Sequence, residues 1–132
     1  VVGVDGVDER VLLGNGPRLA RRNAARDVVE AAVVGGDAAR VPLATDAVDV
    51  VTISRVLHDL SAANARRAVA EARRVCAPDG VLGVLELPFP HEPGAAPATY
   101  WRDLVADAGV TVTTVAEHSF ERGRYVVVVA EP

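Results

Sequence analysis

His58, within the run VLHDL, carries the one side-chain type whose charge changes near neutral pH, which suits it to general acid or base work. Asp37 follows Gly35-Gly36 directly after the apolar run 31–34. A carboxylate at a strand tip can accept hydrogen bonds from ligand hydroxyls or amino groups, and glycines before it let the backbone approach a ligand closely. Gly14 and Gly16 flank Asn15 ahead of Pro17, a short glycine loop of the kind that passes beneath a bound nucleotide. Each has a plainer use as well. An aspartate here can form a turn or cap a helix, a histidine can be packed without taking part in chemistry, and a lone G-x-G is a weak signal. Cys76 is the one cysteine, so no internal disulfide forms and no C-x-x-C metal site exists. It falls on the apolar face of an expected helix, as a buried, inert thiol. No metal ligand set is expected.

The elements that must position these residues alternate in type. Residues 61–76 form the clearest helix, with Ser61 as cap and Ala65, Ala68, Val69, Ala72, Val75 and Cys76 on one face. Arg66, Arg67, Arg73 and Arg74 lie off that stripe and read as a solvated face. Residues 48–53 before the helix and 81–87 after it are strands, the second introduced by a turn at Asp79-Gly80. Residues 88–97 form a Pro/Gly-rich loop, residues 99–108 a short helix stopped by Gly109. Residues 110–115 and 125–130 are a closing antiparallel strand pair around the turn 121–123. Toward the start, residues 1–4, 10–13 and 31–34 are strand-like, and Pro17 opens a helix reaching about Val29.

At 132 residues the chain suits one domain, 1–132, and with half its residues hydrophobic but 4% aromatic its core must be built from Val, Leu and Ala. The net charge of −4 and the absence of a basic cluster argue against a nucleic-acid partner. No apolar run approaches the roughly 20 residues of a membrane span, and no signal-peptide pattern opens the sequence. A cytoplasmic protein is therefore expected.

Between Val33 and Val81 the order of pieces is that of a known family. VVGGDAARVPLATDAVDVVTISRVLHDL, then RRAVAEARRVCAPDGVL, resembles the class I S-adenosylmethionine-dependent methyltransferases. Those proteins run strand, Gly-Asp-Ala, an "lP" loop, an Asp-initiated strand, "LHHL", then a helix and "L-x-P-G-G". GRYVVVVAEP is similar to their last antiparallel strand. The resemblance implies a Rossmann-like three-layer α/β/α fold with a mostly parallel sheet and an antiparallel last strand. It also implies methyl transfer from S-adenosyl-L-methionine to a small-molecule acceptor. Asp37 and Ala38 then meet the adenine, Ser54 and Arg55 stand beside the cofactor at a strand end, and His58 is the base if one is used. The loop 88–97, with His91 and Glu92, falls on the acceptor side by position, though it reads equally as a solvated linker.

Two registers fit the N-terminal part. In one, VVGVD resembles the family's second strand, which gives Asp5 the ribose, and the first strand with its glycine loop is missing from the sequence (a truncated form). In the other, ERVLLGNGPRLA is a degenerate first strand and glycine loop, with Gly14 and Gly16 beneath the cofactor and Asp37 about 20 positions beyond, as ribose-binding acids are. The cost of unpaired strand edges favours the second register. Two other functions share these features: a cofactor-free or regulatory binding domain, and an NAD-dependent oxidoreductase. The absence of any lysine counts against the last.

Overall fold

The structure, a computed structural model, describes residues 1–6, 22, 25, 30, 32–121 and 123–132. They fall into two compact units, Val1–Pro42 and Leu43–Pro132. In the first unit, β1 (Val2–Asp5) pairs parallel with β2 (Ala32–Gly35), Val2 opposite Ala32 and Asp5 opposite Gly35. This is the strand–crossover–strand arrangement that the register assigning Asp5 to the second strand requires. Residues 10–13, which the other register needs as a strand, and the helix expected over 17–29 lie outside the described residues.

The second unit is a four-stranded sheet in the order β3-β4-β6-β5. Its strands are β3 (Val48–Ser54), β4 (Cys76–Glu86), β5 (Thr111–Phe120) and β6 (Gly123–Glu131). β3 and β4 run parallel, and β6 is antiparallel to both β4 and β5, as expected of the closing pair. α1 (Ala62–Val75) links β3 to β4, and α2 (Pro97–Ala106) links β4 to β5. Ser61 caps α1 by accepting from the Asn64 amide at 3.3 Å, and the predicted stripe is buried. α2 starts two residues earlier than expected because Pro97 occupies its first turn, where a missing N–H costs nothing. Gly109, at φ +78°, follows its C-terminus.

β4 differs most from expectation. It begins at Cys76, with no break after α1, and residues 77–80 bulge out between the pairs Val48–Cys76 and Val50–Val81. The Asp79-Gly80 signal is thus absorbed into a bulge that also accommodates Pro78, which cannot donate to a ladder. A Cβ on Gly80 would stand 2.6 Å from the Asp49 carbonyl oxygen, so the bulge admits no side chain there.

Leu82, Val84 and Glu86 of β4 stand across from Ala130, Val128 and Val126 of β6, and all six are buried on the face that carries the helices. Trp101 on α2 is wholly buried beside them, its indole N–H donating to the Leu87 carbonyl at 2.9 Å. Trp101→Phe removes that donor and part of the ring. A loss of about 1–2 kcal/mol is expected, to be read by urea unfolding. Cys76 is buried, and burial raises its thiol pKa above the ordinary value, with Asp49, Asp46 and Asp79 adding to the shift. That agrees with the inert thiol expected of it.

Candidate functional site

In the first unit the two parallel strands each lead into an acid. Asp5 is the last residue of β1, and Asp37 follows β2 by two. The Gly36 amide donates to the Asp5 carbonyl at 3.0 Å and extends the ladder past β2. A Cβ on Gly36 would lie 3.0 Å from the side chains of Val4 and Pro42, so any larger residue before Asp37 must push both aside. Asp37 Oδ1 accepts from the Ala39 amide at 2.9 Å, and the Asp37 carbonyl accepts from the Arg40 amide at 2.9 Å. Asp37 therefore does form a turn. Its carboxylate is nonetheless exposed, and Oδ2 has no partner among the described residues. Ala38 sits half-buried in the same turn. The acceptor chemistry a nucleoside needs is present: exposed carboxylates where parallel strands end. Gly14 and Gly16 lie outside the described residues.

In the second unit Ser54 closes β3, and Arg55 follows with φ +56°, its amide donating to the Leu85 carbonyl at 2.8 Å. A side chain in the left-handed region costs about 1–2 kcal/mol, and such strain gathers at ligand sites. Ser54 and Arg55 line an open depression of about 610 Å³ with Leu85, Phe120, Glu121 and Tyr125. Phe120 and Tyr125 form an aromatic corner, ring centroids 5.7 Å apart. His58 is not among the residues that line this depression.

His58 stands instead on a one-turn 3₁₀ helix, Leu57–Asp59, and its partner is a residue that the motif reading missed. Glu86, the last residue of β4, has 0% exposure. Its Oε1 accepts from the amides of Val56 at 2.8 Å and Leu57 at 2.6 Å. Its Oε2 lies 2.6 Å from His58 Nδ1 and 3.2 Å from the Leu87 amide. A carboxylate only accepts, so Nδ1 carries the proton that joins the two side chains. Nε2, which carries the lone pair in the neutral ring, lies 3.5 Å from the exposed Asp59 carboxylate. The His58 side chain is 13% exposed, and a ring nitrogen fixed by a buried acid is one part of what a general base requires. Phe89, 62% exposed, has its ring centroid 6.5 Å from that of His58. The signal for Glu86 was in the sequence: a lone acid closing the apolar strand VLGVLE.

His91, expected in a solvated or acceptor-facing loop, is engaged inside the protein. Its Nδ1 lies 2.7 Å from the Tyr100 hydroxyl, and its Nε2 lies 3.1 Å from the Leu57 carbonyl and 2.8 Å from that of Leu60. Carbonyls only accept, so Nε2 carries the hydrogen and the Tyr100 hydroxyl donates to Nδ1. Burial pushes the Tyr100 phenol above its usual pKa, Arg66 opposes and Glu92 adds to that shift, so the hydroxyl keeps its proton. Glu92 is exposed. Among the described residues no group of three or more His, Cys, Asp or Glu could hold a metal ion. No described helix is long and apolar enough to cross a membrane.

Comparison with known proteins gives this arrangement a family. A comparison with curated protein sequences finds no significant match. The fold is that of solved structures including a protein from Pyrococcus horikoshii (TM-score 0.72, 18% identity, 100% of this chain and 71% of that one). A SAM-dependent methyltransferase from Aquifex aeolicus matches with TM-score 0.72 and 19% identity, over 100% of this chain and 69% of that one. A SAM-dependent methyltransferase from Methanosarcina mazei matches with TM-score 0.75 and 16% identity, over 99% of this chain and 81% of that one. Identities this low speak for the Rossmann-like α/β fold alone. The sequence itself carries the family: the model of the family described as "Methyltransferase domain" matches residues 1–84, well over half the chain. This chain belongs to that methyltransferase family, with S-adenosylmethionine as its cofactor.

Proposed function

We propose that the chain transfers a methyl group from S-adenosylmethionine to a hydroxyl oxygen of a small-molecule acceptor, with His58 as the base. The observation behind this reading is the 2.6 Å contact between Glu86 Oε2 and His58 Nδ1, which commits Nδ1 and leaves proton uptake to Nε2. A hydroxyl is a weak nucleophile until its proton leaves, whereas an amine attacks as the free base. A fixed imidazole is therefore of most use to an O–H acceptor. Bound S-adenosylmethionine supplies a methyl on a cationic sulfur that is already a good leaving group. His58 Nε2 would take the proton of the acceptor O–H as the oxygen gains the methyl and the C–S bond breaks, the neutral thioether leaving. Glu86 then stabilises the imidazolium through Nδ1–H.

For the cofactor, the proposed contacts are Asp37 and Ala38 to the adenosine, Asp5 to the ribose, and Ser54 and Arg55 beside the methyl-bearing end. Gly14 and Gly16 take that role only in the glycine-loop register. A single domain over 1–132, a cytoplasmic location and no nucleic-acid partner go with this reading.

Two measurements test it. Isothermal titration of S-adenosylmethionine into Asp37→Ala is expected to show affinity about 10- to 100-fold below that of the unaltered chain, the size of one lost hydrogen bond to a charged group. Unchanged affinity would remove Asp37 from the site. Incubation with methyl-labelled cofactor and a panel of phenols, aliphatic alcohols and amines should label hydroxyl oxygens. Label on nitrogen alone would overturn the proposed acceptor.

A further inference from the structure

The turn that presents His58 has little to hold it by itself. It is three residues long, Val56 before it makes no side-chain cap, and its own hydrogen bonds, Asp59 N–H to the Val56 carbonyl and Leu60 N–H to that of Leu57, are both 3.2 Å. So short a 3₁₀ segment does not persist without outside contacts. Two side chains supply them from opposite polarities. Glu86 gathers the amides of Val56 and Leu57, and His91 Nε2–H meets the carbonyls of Leu57 and Leu60.

His91 is itself fixed from α2. The buried Tyr100 hydroxyl meets its Nδ1 at 2.7 Å, and the Trp101 ring lies edge-on to it with centroids 5.5 Å apart. A line of contacts thus runs from the buried Tyr100 and Trp101 of α2 through His91 and the turn to His58.

We propose that His91 is a positioning residue: its bridge to the Leu57 and Leu60 carbonyls keeps the turn closed, and with it the His58 ring in the Nδ1–H tautomer against Glu86. The importance of that for turnover rests on the reading of His58 as the base. The bridge itself can be observed without turnover.

The experiment uses the full chain with ¹⁵N-labelled histidine, in two-bond ¹H–¹⁵N spectra that report which ring nitrogen is protonated, together with amide hydrogen exchange. In the unaltered protein His58 is expected as one tautomer with Nδ1 protonated, and His91 with Nε2 protonated. In His91→Leu the His58 signals should shift toward a mixture of tautomers. The Leu57 amide should exchange at least about tenfold faster, while amides in the middle of β4 keep their rates. His91→Gln, whose amide N–H can reach the same carbonyls, should restore both readouts. The proposal is overturned if His91→Leu keeps the single His58 tautomer and the slow Leu57 amide, or if His91→Gln behaves as His91→Leu does. Should His91→Leu fail to fold, Tyr100→Phe replaces it. That change leaves the ring without its donor at Nδ1, so a second His91 tautomer and a faster Leu57 amide are expected, and an unaltered spectrum counts against the proposal. Failure to label any hydroxyl would remove His58 as base and leave these spectra as they are, so the two failures are distinguishable.

Discussion

His58→Asn is expected to lower kcat for methyl transfer about 100- to 10,000-fold, the usual contribution of a general base, while S-adenosylmethionine binds within about twofold of its original affinity. Asparagine is the informative replacement. Its amide N–H occupies roughly the place of Nδ1–H, so the 2.6 Å link to Glu86 has a successor and the turn need not open. What it lacks is a lone pair at the position of Nε2. A fall in kcat with cofactor affinity preserved would therefore assign the loss to proton removal. The measurement is steady-state kinetics on a hydroxyl acceptor from the panel, with cofactor affinity from titration. Full activity in His58→Asn would end the case for a base at this position.

Glu86→Ala should be the most damaging single change to stability, by about 3–5 kcal/mol. The side chain is wholly buried and accepts from three amides and one ring nitrogen. Truncation leaves the buried Leu57 amide without a partner and takes the acceptor from the part-buried amides of Val56 and Leu87. Each such donor costs about 1–3 kcal/mol, less where water can enter. Glu86→Gln keeps the volume but presents an NH₂ group to donors, so it should fall between the two. Urea unfolding of the three proteins measures the order. If Glu86→Ala unfolds at the same midpoint as the unaltered chain, the carboxylate does not hold the turn.

The parts of the fold legible in the sequence were those set by local rules. The apolar stripe of α1 with its Ser61 cap, the antiparallel closing pair and the alternation of strand and helix follow from periodicity and capping alone. The start of β4 was not, because Asp79-Gly80 reads as a turn and only the neighbouring strand shows that it is a bulge: Gly80 is packed against the carbonyl of Asp49, 31 positions earlier. The candidate site divides the same way. His58 was visible as a residue type, and so was Asp37 beyond its glycines. Glu86 and His91 act on backbone groups 29 to 34 positions away, and no spacing rule relates them to the turn. Arg55 has a conformation that its residue type does not announce.

One carboxylate, that of Glu86, holds both the backbone of the His58 turn and the proton on the His58 ring. Molecules in which the segment has come loose are then the same molecules in which the imidazole can flip or exchange tautomers. The two disorders form a single equilibrium. If local opening requires about 3 kcal/mol, under about 1% of the population has a wrongly set ring at any instant. Amide exchange at Leu57 would then report how much of the enzyme stands ready to react.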